Sequence, residues 1–356
     1  MMAAEQRRNQ SMLAPEPPPV PAEQAIERAA QRLADGGLVA FPTETVYGLG
    51  GDAENPDAIA RIYQAKGRPA NHPVIVHLAP EADLAYWTRS LPAAAEALVQ
   101  AFWPGPLTLI LPRSPAIPAA VSGGQDSIGL RCPSHPVAQA LLRRFAALKG
   151  GQGGVAAPSA NKFGQVSPTQ AAHVRKEFPE LDESDLLVLE GGPSQVGIES
   201  TIVDLSRLDK GLGPVLLRPG HISVDELADV LGVVPSRPDE AAPRVSGSLK
   251  AHYAPRTPLT LVARAQLDAA LAEAAGRGER LAVVVFPPRP NLASEQSQLS
   301  WHLCSADRTK YARQLYALLR ELDEQGHDRI IMEKPPVTAA WQAVNDRLGR
   351  AAAAFE

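Results

Sequence analysis

Long apolar runs are absent from this chain of 356 residues. The longest, LTLIL at 107–111 and LAVVVF at 281–286, are far shorter than the ~20 residues that cross a bilayer, so no transmembrane helix is predicted. Cysteine is also scarce. Cys132 and Cys304 lie about 170 positions apart and form no CxxC spacing. This pattern argues against a disulfide framework or a structural zinc site and fits a reducing compartment.

No single sign of charge dominates the sequence, and its net charge is −4. From Arg256 onward there are 13 basic and 12 acidic residues, against 22 and 27 before it. A domain whose main task is to grip nucleic acid would carry a basic excess, which is missing here. The first residues are polar and proline-rich and lack the apolar core of a secretory signal. They predict a disordered tail over 1–21 and a cytoplasmic protein.

Hydrophobic periodicity divides the rest of the chain into two α/β units joined by a linker. Residues 22–222 alternate helices with about seven apolar strands, and Ser167–Pro168 is expected to open a helix. A capping helix and a proline-rich linker occupy 223–257. Residues 258–356 again alternate strands and long helices, which predicts a smaller Rossmann-like domain with a parallel sheet.

The common signatures of catalytic and nucleotide sites are missing, including GxxxxGK[ST], HExxH, GxSxG and GxGxxG. The eight histidines have no metal-ligand spacing, so no metal site of the protein itself is predicted. Polar residues instead interrupt the strand and helix ends of three segments. These are FPTETVYGLG (41–50), AKGRP (65–69) and APSANKFGQVSPT (157–169).

Four cations stand at the ends of elements in the first unit: Lys66, Arg68, Arg131 and Arg218. Lys66 and Arg68 could simply complement a helix C-terminus, an effect of ~0.3–1 kcal/mol. Ligands of open α/β sheets, however, gather where strands end, and arginine suits bidentate contact with phosphate or carboxylate. The residues therefore predict a pocket for an anionic, phosphorylated small molecule and leave the reaction open.

The motifs resemble the L-threonylcarbamoyladenylate synthase family. FPTETVYGLG, KGRP, IVH, SAN, SPT, GIESTIVDL and LLRPG follow one another in the family's order, and HYAP at 252–255 resembles the linker of its two-domain members. The resemblance implies a YrdC-like mixed sheet and a nucleotidyltransferase. Such an enzyme converts L-threonine, bicarbonate or CO2, and ATP with Mg2+ into threonylcarbamoyl-AMP and pyrophosphate. A transferase complex then modifies adenosine 37 of ANN-decoding tRNAs.

The resemblance also assigns roles to residues. The catalytic set is Lys66, Arg68, Ser159 and Asn161. Contacts to ATP are expected from these four and from His72, Ser127, Ser167, Arg218 and Tyr253. Contacts to threonine are expected from Thr45, His77, Arg131, Ala157 and Ser200. His72 stands where the family usually has asparagine, SGSLKA precedes HYAP in place of the usual linker sequence, and 145–154 is longer than usual.

Three other interpretations compete with this one. An O-carbamoyltransferase or a maturation-factor domain could use the same fold on carbamoyl phosphate. An RNA-binding module could also have this fold, although the charge balance argues against RNA binding. The third alternative, an inactive paralogue, conflicts with the intact Lys66, Arg68, Ser159 and Asn161. A further hypothesis is that the linker and residues 256–356 gate the nucleotide site.

Overall fold

The computed structural model describes residues 23–290 and 298–356. The predicted disordered tail over 1–21 lies outside these residues. Two sheets organise the described chain, one of nine strands and one of four. The strands of the larger sheet are β1 (Leu38–Phe41), β2 (Gly48–Asp52), β3 (Ile75–His77), β4 (Leu107–Pro112), β5 (Ser127–Arg131), β6 (Val155–Ala156), β7 (Leu186–Val188), β8 (Thr201–Asp204) and β9 (Val215–Arg218).

Parallel and antiparallel pairs mix in this sheet, whose order is β7-β1-β2-β6-β3-β5-β4-β8-β9. Every residue of β4 is buried, as expected for a strand with both faces covered. Strand alternation places Leu38 and Ala40 in one apolar core and Val39 and Phe41 in another. The sheet therefore separates two cores, one on each face.

Helices cover both faces of the larger sheet. Helix α1 packs against α5 on the face of Val39 and Phe41, and α2, α4 and α7 supply apolar residues to the opposite core. The helices are α1 (Glu23–Ala34), α2 (Pro56–Lys66), α3 (Leu84–Trp87), α4 (Ala93–Phe102), α5 (Pro136–Leu148), α6 (Ala171–Glu177) and α7 (Val224–Leu231).

Local sequence explains where α2 begins and ends. The Asn55 side chain accepts hydrogen bonds from the backbone N–H groups of Asp57 and Ala58. Gly67 ends the helix with a left-handed φ of 62°. Lys66 is thus fixed in the last turn, and Arg68 stands directly after the cap.

The described part of 22–222 contains nine strands, against the predicted number of about seven, and sequence periodicity missed β2, GLGGD. Glycine-rich sequence usually predicts a loop, but Gly50 is buried between two neighbouring strands. A Cβ atom there would lie 2.8 Å from both Phe41 Cε1 and Val155 Cγ1. Close packing of β1 and β6 on β2 therefore requires glycine, and its low strand propensity does not decide the structure.

The prediction that Ser167–Pro168 opens a helix is wrong. Helix α6 begins at Ala171, and Gln170 is its N-cap residue. The Pro168 carbonyl accepts a hydrogen bond from the Tyr47 N–H, which ties this segment to another chain region before the helix starts. The Ser167 hydroxyl is consequently free to donate elsewhere.

The C-terminal part folds as the predicted small parallel sheet with helices, in the order β10-β13-β11-β12. Its elements are β10 (Leu259–Val262), α8 (Leu267–Gly276), β11 (Leu281–Val285), β12 (Leu299–Leu303), α9 (Arg308–Glu324), β13 (Arg329–Glu333) and α10 (Gln342–Ala352). Residues 233–257 contain no helix or extended strand pairing. None of the described helices has the length and hydropathy needed to cross a membrane.

An apolar interface joins the two sheets' units. Val46, Val166 and Ile198 from the first unit share one core cluster with Tyr316 of α9 and Leu348 of α10. The second unit is therefore packed against the same region that holds the polar segments singled out in the sequence.

Candidate active site

A narrow cleft lies over one face of the larger sheet. Ile75 and His77 of β3, two positions apart, point into it, and Arg131 of β5 pairs with His77 across the strands. Of the residues predicted for the site, Thr45, His77, Arg131, Ala157, Ser159, Ser200, Arg218 and Tyr253 line the cleft. Only about 30 Å3 inside it is free for water-sized molecules.

Arg131 is held at one end of the cleft by a buried ion pair that the sequence did not predict. Its Nη2 donates to Glu44 Oε1 at 2.6 Å, and its Nη1 donates to Thr45 Oγ1 at 2.9 Å. The second oxygen of Glu44 accepts the Ser134 N–H at 3.1 Å. These bonds fix the guanidinium in one orientation and leave one further N–H on each Nη for a ligand.

His77 beside this pair is a neutral imidazole. Burial, reinforced by the positive charge of Arg131, lowers the pKa of His77 to about 3. Its ring meets the Phe41 ring edge-on, and Nδ1 lies 3.3 Å from the Ile75 carbonyl. The side chain can therefore give or accept a hydrogen bond but cannot supply positive charge near neutral pH.

The Lys66 side chain hydrogen bonds to the backbone of the SAN segment, residues 159–161. Its Nζ donates to the backbone carbonyl of Ser159 at 2.6 Å and also to that of Asn161. Burial and the neighbouring charge of Arg68 lower the pKa of Lys66 well below its ordinary value. Three residues of the predicted catalytic set, Lys66, Ser159 and Asn161, thus lie together, and the partners of the Lys66 ammonium are backbone carbonyls.

Arg218 lines the cleft, and Arg68 lies beside it, next to the lining residue Ser246. Arg218 donates from Nε to the Ser200 carbonyl at 3.0 Å and from Nη2 to the Ser200 hydroxyl at 3.1 Å. Arg68 donates to the Pro73 carbonyl at 2.6 Å, while its buried Nε has no partner. Burial lowers the pKa of Arg68 to about 10. Within 23–290 and 298–356, neither guanidinium has a carboxylate oxygen within 4.0 Å.

Residues 244–254 of the linker, here called the strap, cross the cleft and contact both arginines. The Ser246 carbonyl accepts a hydrogen bond from Arg218 Nη1 at 3.0 Å. The Ser246 hydroxyl lies 3.4 Å from Arg68 Nη1. Tyr253 is 1% exposed and adopts a left-handed φ of 60°. The strap therefore fills the space between the two cations.

The strap is anchored at its start by Gln125. The Gln125 side chain accepts from the Arg244 N–H at 2.8 Å and donates to the Arg244 carbonyl at 3.1 Å. At its end, the Ala254 N–H donates to the Gly164 carbonyl at 2.9 Å. A segment without regular structure is thus fixed at both ends.

The other predicted residues lie around the cleft rather than in it. Asn161 donates from Nδ2 to the carbonyls of Lys162 and Gln165, and its Oδ1 is buried without a partner. His72 is half-buried at the outer rim, its ring 5.3 Å from that of Phe163. Ser127 begins β5, four residues and roughly 13 Å from Arg131, outside the closed cleft.

Comparison with known proteins identifies the family of this chain. Residues 31–220 match the Sua5–YciO–YrdC family model, described as telomere recombination. Residues 222–353 match the model described as the threonylcarbamoyl-AMP synthase C-terminal domain. The chain belongs to the threonylcarbamoyl-AMP synthase family.

Similarity to members of the threonylcarbamoyl-AMP synthase family extends over most of the chain. The synthase of Pyrococcus abyssi is 35% identical over 92% of this chain and 94% of its own length. That of Bacillus subtilis is 38% identical, covering 92% of each chain. A crystal structure of P. abyssi Sua5 complexed with L-threonine superposes with a TM-score of 0.81 at 33% identity, covering 94% of this chain and 95% of that one.

These findings confirm the predicted YrdC-like mixed sheet with a smaller parallel-sheet domain, and they confirm a threonylcarbamoyl-AMP synthase of the long two-domain form. Within this family member, the sequence reasoning missed Glu199, a buried residue that lines the cleft. Burial alone would raise the pKa of Glu199, but the charges of Arg347 and Arg218 and its hydrogen bonds lower it to about 2. The only sequence signal was a carboxylate within the motif GIESTIVDL, next to Ser200.

Proposed function

We propose that the cleft joins L-threonine, bicarbonate or CO2, and ATP to form threonylcarbamoyl-AMP and pyrophosphate. The observation that carries this proposal is that Arg68 and Arg218, which have no carboxylate partners in the described chain, both contact Ser246 at the cleft. Two buried guanidiniums of this kind suit a polyphosphate. The full-length similarity to synthases, one of them crystallised with L-threonine, supports the same assignment.

The threonine end of the cleft is proposed to be the pocket of Arg131. The two unused Nη hydrogens of Arg131 would bind the carboxylate, and the hydroxyls of Thr45 and Ser200 would face the polar groups of threonine. Ala157 supports this wall of the cleft without adding a polar group. His77, being neutral, offers a hydrogen bond without repelling the ammonium form of the amino acid.

The chemistry needs positioning more than acid–base catalysis. Bicarbonate supplies CO2 by taking up a proton and losing water, and the threonine ammonium first gives one proton to solvent. The free amine then attacks the carbon of CO2: an N–C bond forms, one C=O π bond opens to an oxyanion, and the nitrogen gives a second proton to solvent, which leaves a carbamate. A carbamate oxygen then attacks the α-phosphorus of ATP, and the bond to the bridging oxygen breaks as pyrophosphate departs with the electron pair. Arg68 and Arg218 would stabilise the developing charge on the phosphates. Lys66, through its hydrogen bonds, would hold Ser159 and Asn161 beside the nucleotide.

We propose that ATP binds to a more open form of the cleft than the one described. Free space of about 30 Å3 accommodates no more than a few water molecules. The Ser246 hydroxyl and carbonyl occupy the guanidiniums that would meet the phosphates. We therefore propose that the strap, together with residues 256–356, gates the nucleotide site.

Mg2+ is proposed to enter as a component of the ATP substrate. The two carboxylates at the cleft are both engaged: Glu44 by Arg131 and the Ser134 N–H, and Glu199 by Arg347 and two hydroxyls. Among the described residues of the cleft, none offers a free carboxylate as a ligand for the ion. The triphosphate oxygens would hold Mg2+, which supplies positive charge during phosphoryl transfer.

The product is a mixed anhydride and is reactive toward nucleophiles. We propose that it is consumed by a transferase complex that modifies adenosine 37 of ANN-decoding tRNAs, with the synthase acting in the cytoplasm.

The test is pyrophosphate release from ATP and Mg2+, with threonine and bicarbonate left out in turn. Release that needs both supports the synthase reaction. Release indifferent to threonine contradicts it, and carbamoyl phosphate would then be the substrate to examine, as expected for an O-carbamoyltransferase.

A further inference from the structure

Glu199 is buried between the two units and is held mainly by the second one. Its Oε2 accepts from Arg347 Nε at 2.7 Å and from the Tyr316 hydroxyl at 2.9 Å. Its Oε1 accepts from the Ser167 hydroxyl at 2.5 Å. Arg347 of α10 and Tyr316 of α9 thus fix the Glu199 carboxylate at the cleft. This carboxylate in turn orients the Ser167 hydroxyl, which is expected to contact ATP.

Arg347 also holds the backbone next to Arg218 and next to Ser200. Its Nη1 donates to the Pro219 carbonyl at 3.0 Å, directly after Arg218. Its Nη2 donates to the Glu199 carbonyl at 3.3 Å, directly before Ser200. Arg218 and Ser200 hydrogen bond to each other, so one guanidinium of the C-terminal domain fixes the two strand ends that carry this pair.

The charge of Arg347 matters as much as its geometry. Arg218 lies close enough to Glu199 to lower the pKa of that carboxyl, second only to Arg347 among the neighbouring charges. If Arg347 were absent, the buried carboxylate would turn to Arg218 for compensation. Arg218 would then be neutralised by the protein itself and would bind a triphosphate less strongly.

We propose that Arg347 is a positioning residue for the ATP half of the cleft. It holds Glu199 away from Arg218, keeps the Ser167 hydroxyl oriented and fixes the strand ends that carry Ser200 and Arg218. The second domain is thereby part of the assembled nucleotide site, in addition to any gating by the strap. This inference rests on the proposed synthase function.

The test compares Arg347→Met with Lys176→Met, a control that breaks another contact between the units. Lys176 pairs with Glu324 at 2.6 Å, and both side chains are exposed. We expect Arg347→Met to raise the KM for ATP at least tenfold while the KM for threonine changes less than threefold. Lys176→Met should leave both constants within twofold of the wild type.

Tyr316→Phe provides a second variant in case Arg347→Met does not fold. It removes one hydrogen bond to Glu199 and keeps the buried ring, so the KM for ATP should rise about twofold to fivefold while the protein stays folded with a melting temperature only a few degrees lower. Equal losses toward ATP and threonine in either folded variant, or no change in either, would overturn the positioning role.

Calorimetric titration of Mg-ATP separates this inference from the proposed reaction. If the wild type releases no threonine-dependent pyrophosphate, the proposed function fails whatever the variants do. Weaker Mg-ATP binding by Arg347→Met, with wild-type affinity in Lys176→Met, would still support the positioning role. Equal Mg-ATP affinity in all three proteins would contradict it.

Discussion

The ammonium of Lys66 donates a 2.6 Å hydrogen bond to the backbone carbonyl of Ser159. This contact joins the last turn of α2 to the SAN segment, across 93 positions of sequence. It gives Lys66 a positioning role that differs from direct contact with the triphosphate. A buried ammonium with backbone carbonyls as its hydrogen-bond partners is also costly for folding, because desolvation is offset by dipoles alone.

Lys66→Met should therefore separate activity from stability. The loss of two charged hydrogen bonds and the relief of a buried charge have opposite signs, so the free energy of unfolding should change by less than about 2 kcal/mol. Pyrophosphate release should fall at least a hundredfold, a loss expected when positioned groups near phosphates are displaced. Lys149→Met, which breaks a pair with Asp52, should retain activity within twofold. Wild-type turnover by Lys66→Met would remove Lys66 from the site.

Gln125→Ala should strengthen ATP binding. The Gln125 amide makes two hydrogen bonds to the Arg244 backbone, each worth about 1 kcal/mol. The closed strap and a bound nucleotide are proposed to compete for Arg68 and Arg218. A weaker strap would then increase the fraction of protein molecules that can bind ATP and lower the dissociation constant for Mg-ATP. We expect Mg-ATP to bind threefold to tenfold more tightly by titration calorimetry.

The matched control is Gln139→Ala, because Gln139 donates to the Pro133 carbonyl and makes no hydrogen bond to residues 244–254 of the described chain. Weaker Mg-ATP binding by Gln125→Ala would contradict competition and would indicate that the strap instead holds the nucleotide in place.

Two glycine substitutions should change stability in opposite directions. An added Cβ at Gly50 would lie 2.8 Å from Phe41 and Val155 side chains, so Gly50→Ala should destabilise the fold by about 1–3 kcal/mol. Gly349 lies within α10 with no atom in reach of an added Cβ, so Gly349→Ala should stabilise by up to about 1 kcal/mol. Chemical denaturation of both variants measures the difference, and a neutral Gly50→Ala would show that β1 and β6 can move apart.

Sequence periodicity succeeded where one residue type determines the local structure. Apolar strands such as β4 and β11, and the Asn55 cap of α2, follow directly from it. It failed where long-range packing decides: the glycines of β2 form a strand because neighbouring strands come close, and Ser167 bonds to Glu199 instead of capping a helix.

Site residues within recognisable motifs could likewise be predicted from the sequence, whereas a residue held by long-range contacts could not. Motif order singled out Lys66, Arg131 and Ser159, all of which lie at the cleft or hold it. Glu199 escaped notice because its main partner, Arg347, lies 148 positions away in a segment without a recognisable motif. No local pattern carries that information.

The buried imidazole of His77 should make the stability of the fold depend on pH. The pKa of His77 is about 3 in the folded protein, against an ordinary value of 6.5. Between these values the unfolded chain binds a proton that the native state does not, so the stability fully present above pH 6.5 is lost as the pH falls toward 3. One such group contributes a slope of up to about 1.4 kcal/mol per pH unit.

His77→Gln removes this proton and keeps a polar side chain. Urea unfolding at pH 6, 5 and 4.5 should therefore give a shallower decline than in the wild type, while above pH 7 the difference between the two proteins should stay constant. His252, whose pKa burial lowers to about 3, contributes its own share and is present in both proteins, so it cancels in the comparison. Parallel pH curves would mean that the native state does not lower the pKa of His77, so that the imidazole beside Arg131 would take up a proton below about pH 6.5.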